Sequence, residues 1–161
     1  MPIVVSDTSP VRALSHLGLV TALANQYSEV FVPPAVVAEL LSPSPPIAIV
    51  DVQHLPFVRV QAPADRAKVH HFMQTLDAGE SEALALALEI HAALTLIDEK
   101  KGRIAATQCG LTPVGTLGIL VECKKVGLIS AVKPLINRLK QDLNFFISSR
   151  LEAQVLQSVG E

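Results

Sequence analysis

Ile3-Val4-Val5-Ser6-Asp7-Thr8-Ser9-Pro10 sets a run of β-branched residues directly against a carboxylate and a helix start. An apolar run without alternation suits a strand buried on both faces, as in a parallel sheet. Such a strand delivers Asp7 to its carboxyl end. Ser9-Pro10 then offers a helix N-cap with proline at the first helical position, and Val11, Leu14 and Leu17 follow at helix-compatible steps.

The same order recurs outward from this unit. Val30-Phe31-Val32 reads as a second strand, and Pro33-Pro34 launches a helix through Ala35-Val36-Val37-Ala38-Glu39-Leu40-Leu41. Ser42-Pro43-Ser44-Pro45-Pro46 ends it in a loop; residues 47–60 are extended but interrupted by Pro56, as in an edge segment. A helix is expected from Pro63 to Leu76, a break at Asp77-Ala78-Gly79, and a second helix from Glu80 to about Ala92. Leu94-Thr95-Leu96-Ile97 is a third strand ending on Asp98, and Gly110 closes the helix Lys101 to Cys109. Pro113-Val114-Gly115 is extended, and Thr116 caps a helix from Leu117 to Lys125. Two last helices, Ile129 to about Leu143 and Ser148 to Ser158, bracket Phe145-Phe146-Ile147. Strands alternating with helices predict an α/β fold with a mostly parallel sheet flanked by helices. The 161 residues are one domain's worth, with a C-terminal helical extension from about residue 129.

Composition narrows the function classes. Half of the residues are hydrophobic and 17% are charged, which excludes disorder as a description of the whole. Aromatics at 4% without tryptophan argue against a binder that works chiefly by base stacking. A net charge of -2 gives no bulk positive field, leaving only a local basic patch to meet nucleic acid. Cys109 and Cys123 stand far apart without clustered histidines, so they are expected to be buried reduced thiols rather than zinc ligands or a disulfide. No signal-peptide pattern or membrane-spanning run is read, and the expectation is a cytoplasmic protein.

The carboxylates carry the chemistry. Ligands of an open parallel sheet bind beyond the carboxyl ends of its strands, where Asp7 and Asp98 both fall. Two acids in one crevice repel each other, and an oxygen-only set suits Mg2+ or Mn2+. Glu39, Glu80 and Glu82 lie on helices expected to face the same crevice. Each acid also has a plain structural reading: Asp7 and Asp98 as helix caps, Glu39 as a solvent-facing side chain, Glu80 and Glu82 as first-turn charges on a helix dipole.

Val4 to Pro10, Val36-Val37-Ala38-Glu39-Leu40, Leu76-Asp77-Ala78-Gly79-Glu80-Ser81-Glu82-Ala83 and Leu96 to Ala106 together resemble the PIN-domain nucleases. More narrowly they resemble the VapC-like toxin ribonucleases, in a branch where a GExEA helix replaces the usual Asp-containing one. The resemblance implies a three-layer PIN-like domain and a metal-dependent endoribonuclease that hydrolyses RNA phosphodiester bonds. It implies Asp7, Glu39, Glu80 and Asp98 as the catalytic and Mg2+- or Mn2+-binding acids, with Thr8 and Glu82 in support. Lys100, Lys101 and Arg103 are close enough to Asp98 to grip an RNA backbone, or else form a solvated helix face. Two positions depart from the family pattern: Leu96, where threonine is common, and Glu80, where most relatives carry aspartate. The partners implied are RNA, a small antitoxin protein and a second copy of the chain, with no membrane. A PIN-like fold that has lost catalysis and serves as a protein- or RNA-binding module is the competing reading.

Overall fold

The computed structural model describes residues 1–161 except Ser44 and Pro46. The proline-rich loop expected at 42–46 therefore lies partly outside the described residues. Strand β1 (Ile3–Ser6) pairs in parallel with β2 (Glu29–Val32) on one side and β4 (Leu94–Leu96) on the other. Strands β3 (Val58–Val60) and β5 (Pro113–Val114) form the two edges, also parallel, giving the order β3-β2-β1-β4-β5. With neighbours on both sides and helices on both faces, β1 needs apolar residues throughout. Val4 and Val5 are completely buried and belong to different core clusters, as alternate strand residues should.

The first face holds α1 (Thr8–His16), α2 (Leu23–Gln26), α3 (Pro34–Leu41), α7 (Thr116–Lys125) and α8 (Lys133–Leu143). Leu14, Leu40, Ile119 and Ile136 join Val4, Val32 and Leu96 in the main core there. On the other face α4 (Arg66–Phe72), α5 (Ala78–Glu89) and α6 (Lys100–Gln108) pack together, with Leu86 of α5 against Val5. Helix α9 (Ser149–Ser158) follows, and Glu161 beyond it accepts hydrogen bonds from the Val132 and Lys133 backbone N–H groups at the start of α8.

Several boundaries differ from the expectation, each for a local reason. Helix α1 starts at Thr8, not Pro10, because first-turn N–H groups have no intrahelical partner and proline loses nothing there. The expected helix 63–76 shrinks to Arg66–Phe72 because Asp65 accepts from Lys68 N (3.0 Å) and fixes the N-terminus. Helix α5 starts two residues before Glu80, since Asp77 and Glu80 form a reciprocal capping box. Gly115, not Thr116, occupies the N-cap position of α7. Helix α8 begins at Lys133 rather than Ile129, with Pro134 in its first turn. Both cysteines are free, and Cys123 is buried, but Cys109 is exposed at the C-cap of α6, beyond Ala106, the last buried residue of that helix.

Candidate active site

The chain fills the sheet outward from β1 to β3, then returns to lay β4 against the other side of β1. The strand order reverses between β1 and β4, so the crevice opens beyond their carboxyl ends. Asp7 follows β1 there, its backbone N–H bonded to Leu96 O of β4 at 2.9 Å. Asp98 follows β4 by two residues.

Asp7 occupies the N-cap position of α1, yet its side chain makes no capping hydrogen bond. The carboxyl is 4% exposed. Its pKa is pushed up to about 7, chiefly by burial and further by the negative charges of Asp77, Glu39 and Asp98, against the lowering effect of the Thr8 backbone hydrogen bond. A carboxyl buried among other acids is costly, and scaffolding alone explains it poorly.

Asp7, Thr8, Ser9, Arg12, Glu39, Asp77 and Glu99 line one cavity of about 260 Å3. Glu39 is held by the Thr8 hydroxyl, and the Arg12 guanidinium donates to the Glu39 carbonyl. Arg12 is the one cationic residue lining this cavity among the described residues. Sequence reasoning named Asp7, Thr8 and Glu39 but missed Asp77, Arg12, Ser9 and Glu99.

The remaining expected acids do not line this cavity. Asp98 does not cap α6, whose N-cap position belongs to Glu99. Its carboxylate accepts from Ser9 Oγ at 2.8 Å and from Thr116 N and Oγ1, both at 2.7 Å, and so ties β4 to the starts of α1 and α7. Glu80 is buried; its pKa rises to about 8 through burial first, then hydrogen bonding to Asp77 and the charges of Asp77 and Asp7. Its Oε2 has no hydrogen-bond partner among the described residues. Glu82 points elsewhere, accepting from the Ala35 N–H at 2.8 Å and pairing with Arg66 at 2.9 Å. Lys100 and Arg103 border a neighbouring groove with Asp98, whereas Lys101 lies on another side of α6 beside Gln74 and Thr75.

The donor set is all oxygen, as a hard divalent cation requires. Among the described residues no three acids, histidines or cysteines converge tightly enough to hold an ion by themselves. Mg2+ retains most of its water and needs only one or two carboxylates, so the chemistry of the cavity fits such an ion without a closed protein cage. A cation would relieve both the burial cost of the Asp7 charge, which is the larger cause of its raised pKa, and the repulsion from the neighbouring acids.

A PIN-domain family profile matches residues 3–161. The chain belongs to the PIN-domain family. PIN domains are in general nucleases that use divalent metals, and the five-stranded parallel sheet with flanking helices is their α/β architecture. No curated protein matches the chain closely enough to count as a relative.

Within this PIN domain Gly79 has a specific task. A Cβ there would meet Glu39 Oε1 at 2.7 Å and Oε2 at 2.8 Å. The missing side chain thus lets the Glu39 carboxylate lie against the first turn of α5, where helix N–H groups favour negative charge. Gly79→Ala is expected to keep the melting temperature within a few degrees, because only the end of a flexible side chain must move. Nucleolytic activity should fall roughly 10- to 100-fold, the effect typical of disturbing a ligand's support. Unchanged activity in that variant would show that the position of Glu39 does not matter.

Proposed function

We propose that this PIN domain is a Mg2+- or Mn2+-dependent endoribonuclease of the VapC-like kind, acting as the cytoplasmic toxin of a toxin–antitoxin pair. The observation that carries the reading is the buried, uncapped carboxyl of Asp7, facing Glu39 and Asp77 across one small cavity. The sequence Gly79-Glu80-Ser81-Glu82-Ala83 supports the narrower assignment, together with the approach of Glu39 to Gly79. Residues 1–161 act as one unit, since α8 contributes Val132, Ile136 and Leu139 to the same core as β1. A small antitoxin and a second copy of the chain are the protein partners this reading brings with it.

Asp7, Glu39 and Asp77 would hold the cation. Glu80 positions Asp77 from behind, and Asp98 positions Ser9. When bound, the ion supplies Lewis acidity toward the phosphate and the attacking water. Thr8 fixes Glu39, and Arg12 offers positive charge to the phosphodiester at the cavity wall.

The test is cleavage of a labelled single-stranded RNA by purified protein, in parallel with thermal shift. Cleavage is expected with Mn2+ and is lost in EDTA. The melting temperature should rise on titrating Mn2+, since an ion at about 100 times its Kd stabilises by about 2.7 kcal/mol. RNA binding without cleavage or thermal shift would instead identify a PIN-like binding module that has lost catalysis.

A further inference from the structure

Beside the acidic cavity runs a larger groove of about 800 Å3, walled by α6, β5 and the start of α7 on one side and by residues 145–155 on the other. Three observations define its occupant. Phe145 lines both the groove and the acidic cavity, so the two adjoin. Lys100 and Arg103 border the groove, and neither makes an ion pair among the described residues. Phe146, also lining it, is 89% exposed and is the most exposed of the large hydrophobic side chains, a costly placement with nothing stacked on it.

We propose that this groove holds a nucleotide of single-stranded RNA adjoining the cleaved bond, with its base stacked on Phe146 and its phosphate met by Lys100 and Arg103. The inference rests on the nuclease reading and adds where the substrate strand lies. An aromatic face receives any base, and cations at the rim neutralise the backbone, a combination suited to unpaired RNA. Because the two pockets share Phe145, a strand with one phosphodiester at Asp7 has only that residue to pass before it reaches the groove. An apolar protein segment would use the same walls but would leave Lys100 and Arg103 unpaired.

The experiment measures binding of a fluorescein-labelled single-stranded RNA in EDTA, where cleavage is suppressed, and cleavage kinetics in Mn2+. Because Phe146 is exposed, its substitution leaves the core intact. Phe146→Ala and Phe146→Leu are both expected to weaken RNA binding about five-fold or more, and Phe146→Tyr to restore it, since base stacking needs the aromatic face. In Mn2+ the loss should appear mainly in KM. Met73→Ala, at an exposed apolar residue outside the groove, serves as the control and should bind as the wild type does. If Phe146→Ala and Phe146→Leu bind RNA as tightly as the wild type, the inference is wrong, and the groove belongs to another class of partner. If the wild type binds RNA through Phe146 but never cleaves it, the nuclease reading fails while the stacking site stands.

Discussion

Asp7→Asn is expected to abolish metal-dependent RNA cleavage and, in EDTA at pH 8, to raise the melting temperature. The two effects share one cause. Burial and the neighbouring acids raise the Asp7 pKa from 3.8 to about 7. Between those values the folded protein binds more protons at this site than the unfolded chain does. Stability contributed by the protonated carboxyl is therefore complete below about pH 4 and is lost as pH rises through about 7. A displacement of that size corresponds to a penalty on the order of 4 kcal/mol for the ionised form at high pH. Asparagine removes the charge but leaves a buried amide to satisfy, so the net gain should be smaller, about 1–2 kcal/mol, or roughly 2–8 °C for a chain of this size. The check is thermal unfolding of both proteins from pH 4 to pH 8. The difference should be small at pH 4 and grow toward pH 8. Adding Mn2+ should stabilise the wild type and not the variant, which closes the gap from the other side. A difference independent of pH, or an active Asp7→Asn protein, would remove Asp7 from the centre of the site.

That cost also explains which parts of the molecule were legible in the sequence. Ile3-Val4-Val5 announces a strand with no solvent face, and the acid that ends it has to stand where the sheet opens; both follow from local chemistry and the parallel topology. Helix α5 is different. Every residue from Gly79 to Ala87 is buried, so no apolar stripe marks which side faces the crevice, and neither Glu80 nor Glu82 could be oriented by periodicity. Asp77 reads locally as helix punctuation. Its place on the cavity wall depends on how α5 packs against α3, which is a long-range fact. The groove is hidden for the same reason, because residues 145–155 form its wall only by folding back beside α6 and β5.

The acids of α5 are separated most sharply by comparing Asp77→Asn with Glu82→Gln. Glu80 and Glu82 lie two residues apart, about 200° around a helix, so they cannot serve the same point. Glu82 is turned toward the Ala35 N–H and Arg66, where its charge supports the start of α3 and links it to α4. Glutamine can still accept from Ala35, but it loses the charge-assisted part of both contacts. The expected cost is about 1–2 kcal/mol, a fall of roughly 2–8 °C in melting temperature, with cleavage per folded molecule and the Mn2+-induced shift retained. Asp77→Asn should do the reverse. Asparagine caps a helix as well as aspartate does, so the fold should be little changed. The cavity nevertheless loses a carboxylate that faces Asp7, so cleavage should fall by more than the roughly 10- to 100-fold typical of an outer-shell partner and the Mn2+ shift should be lost. Glu80→Gln should leave most activity, because Glu80 does not line the cavity and an amide oxygen can still accept from the Asp77 N–H. If Glu80→Gln loses both signals and Asp77→Asn keeps them, Glu80 contacts the cation directly, and the carboxyl of Asp77 serves only to cap α5.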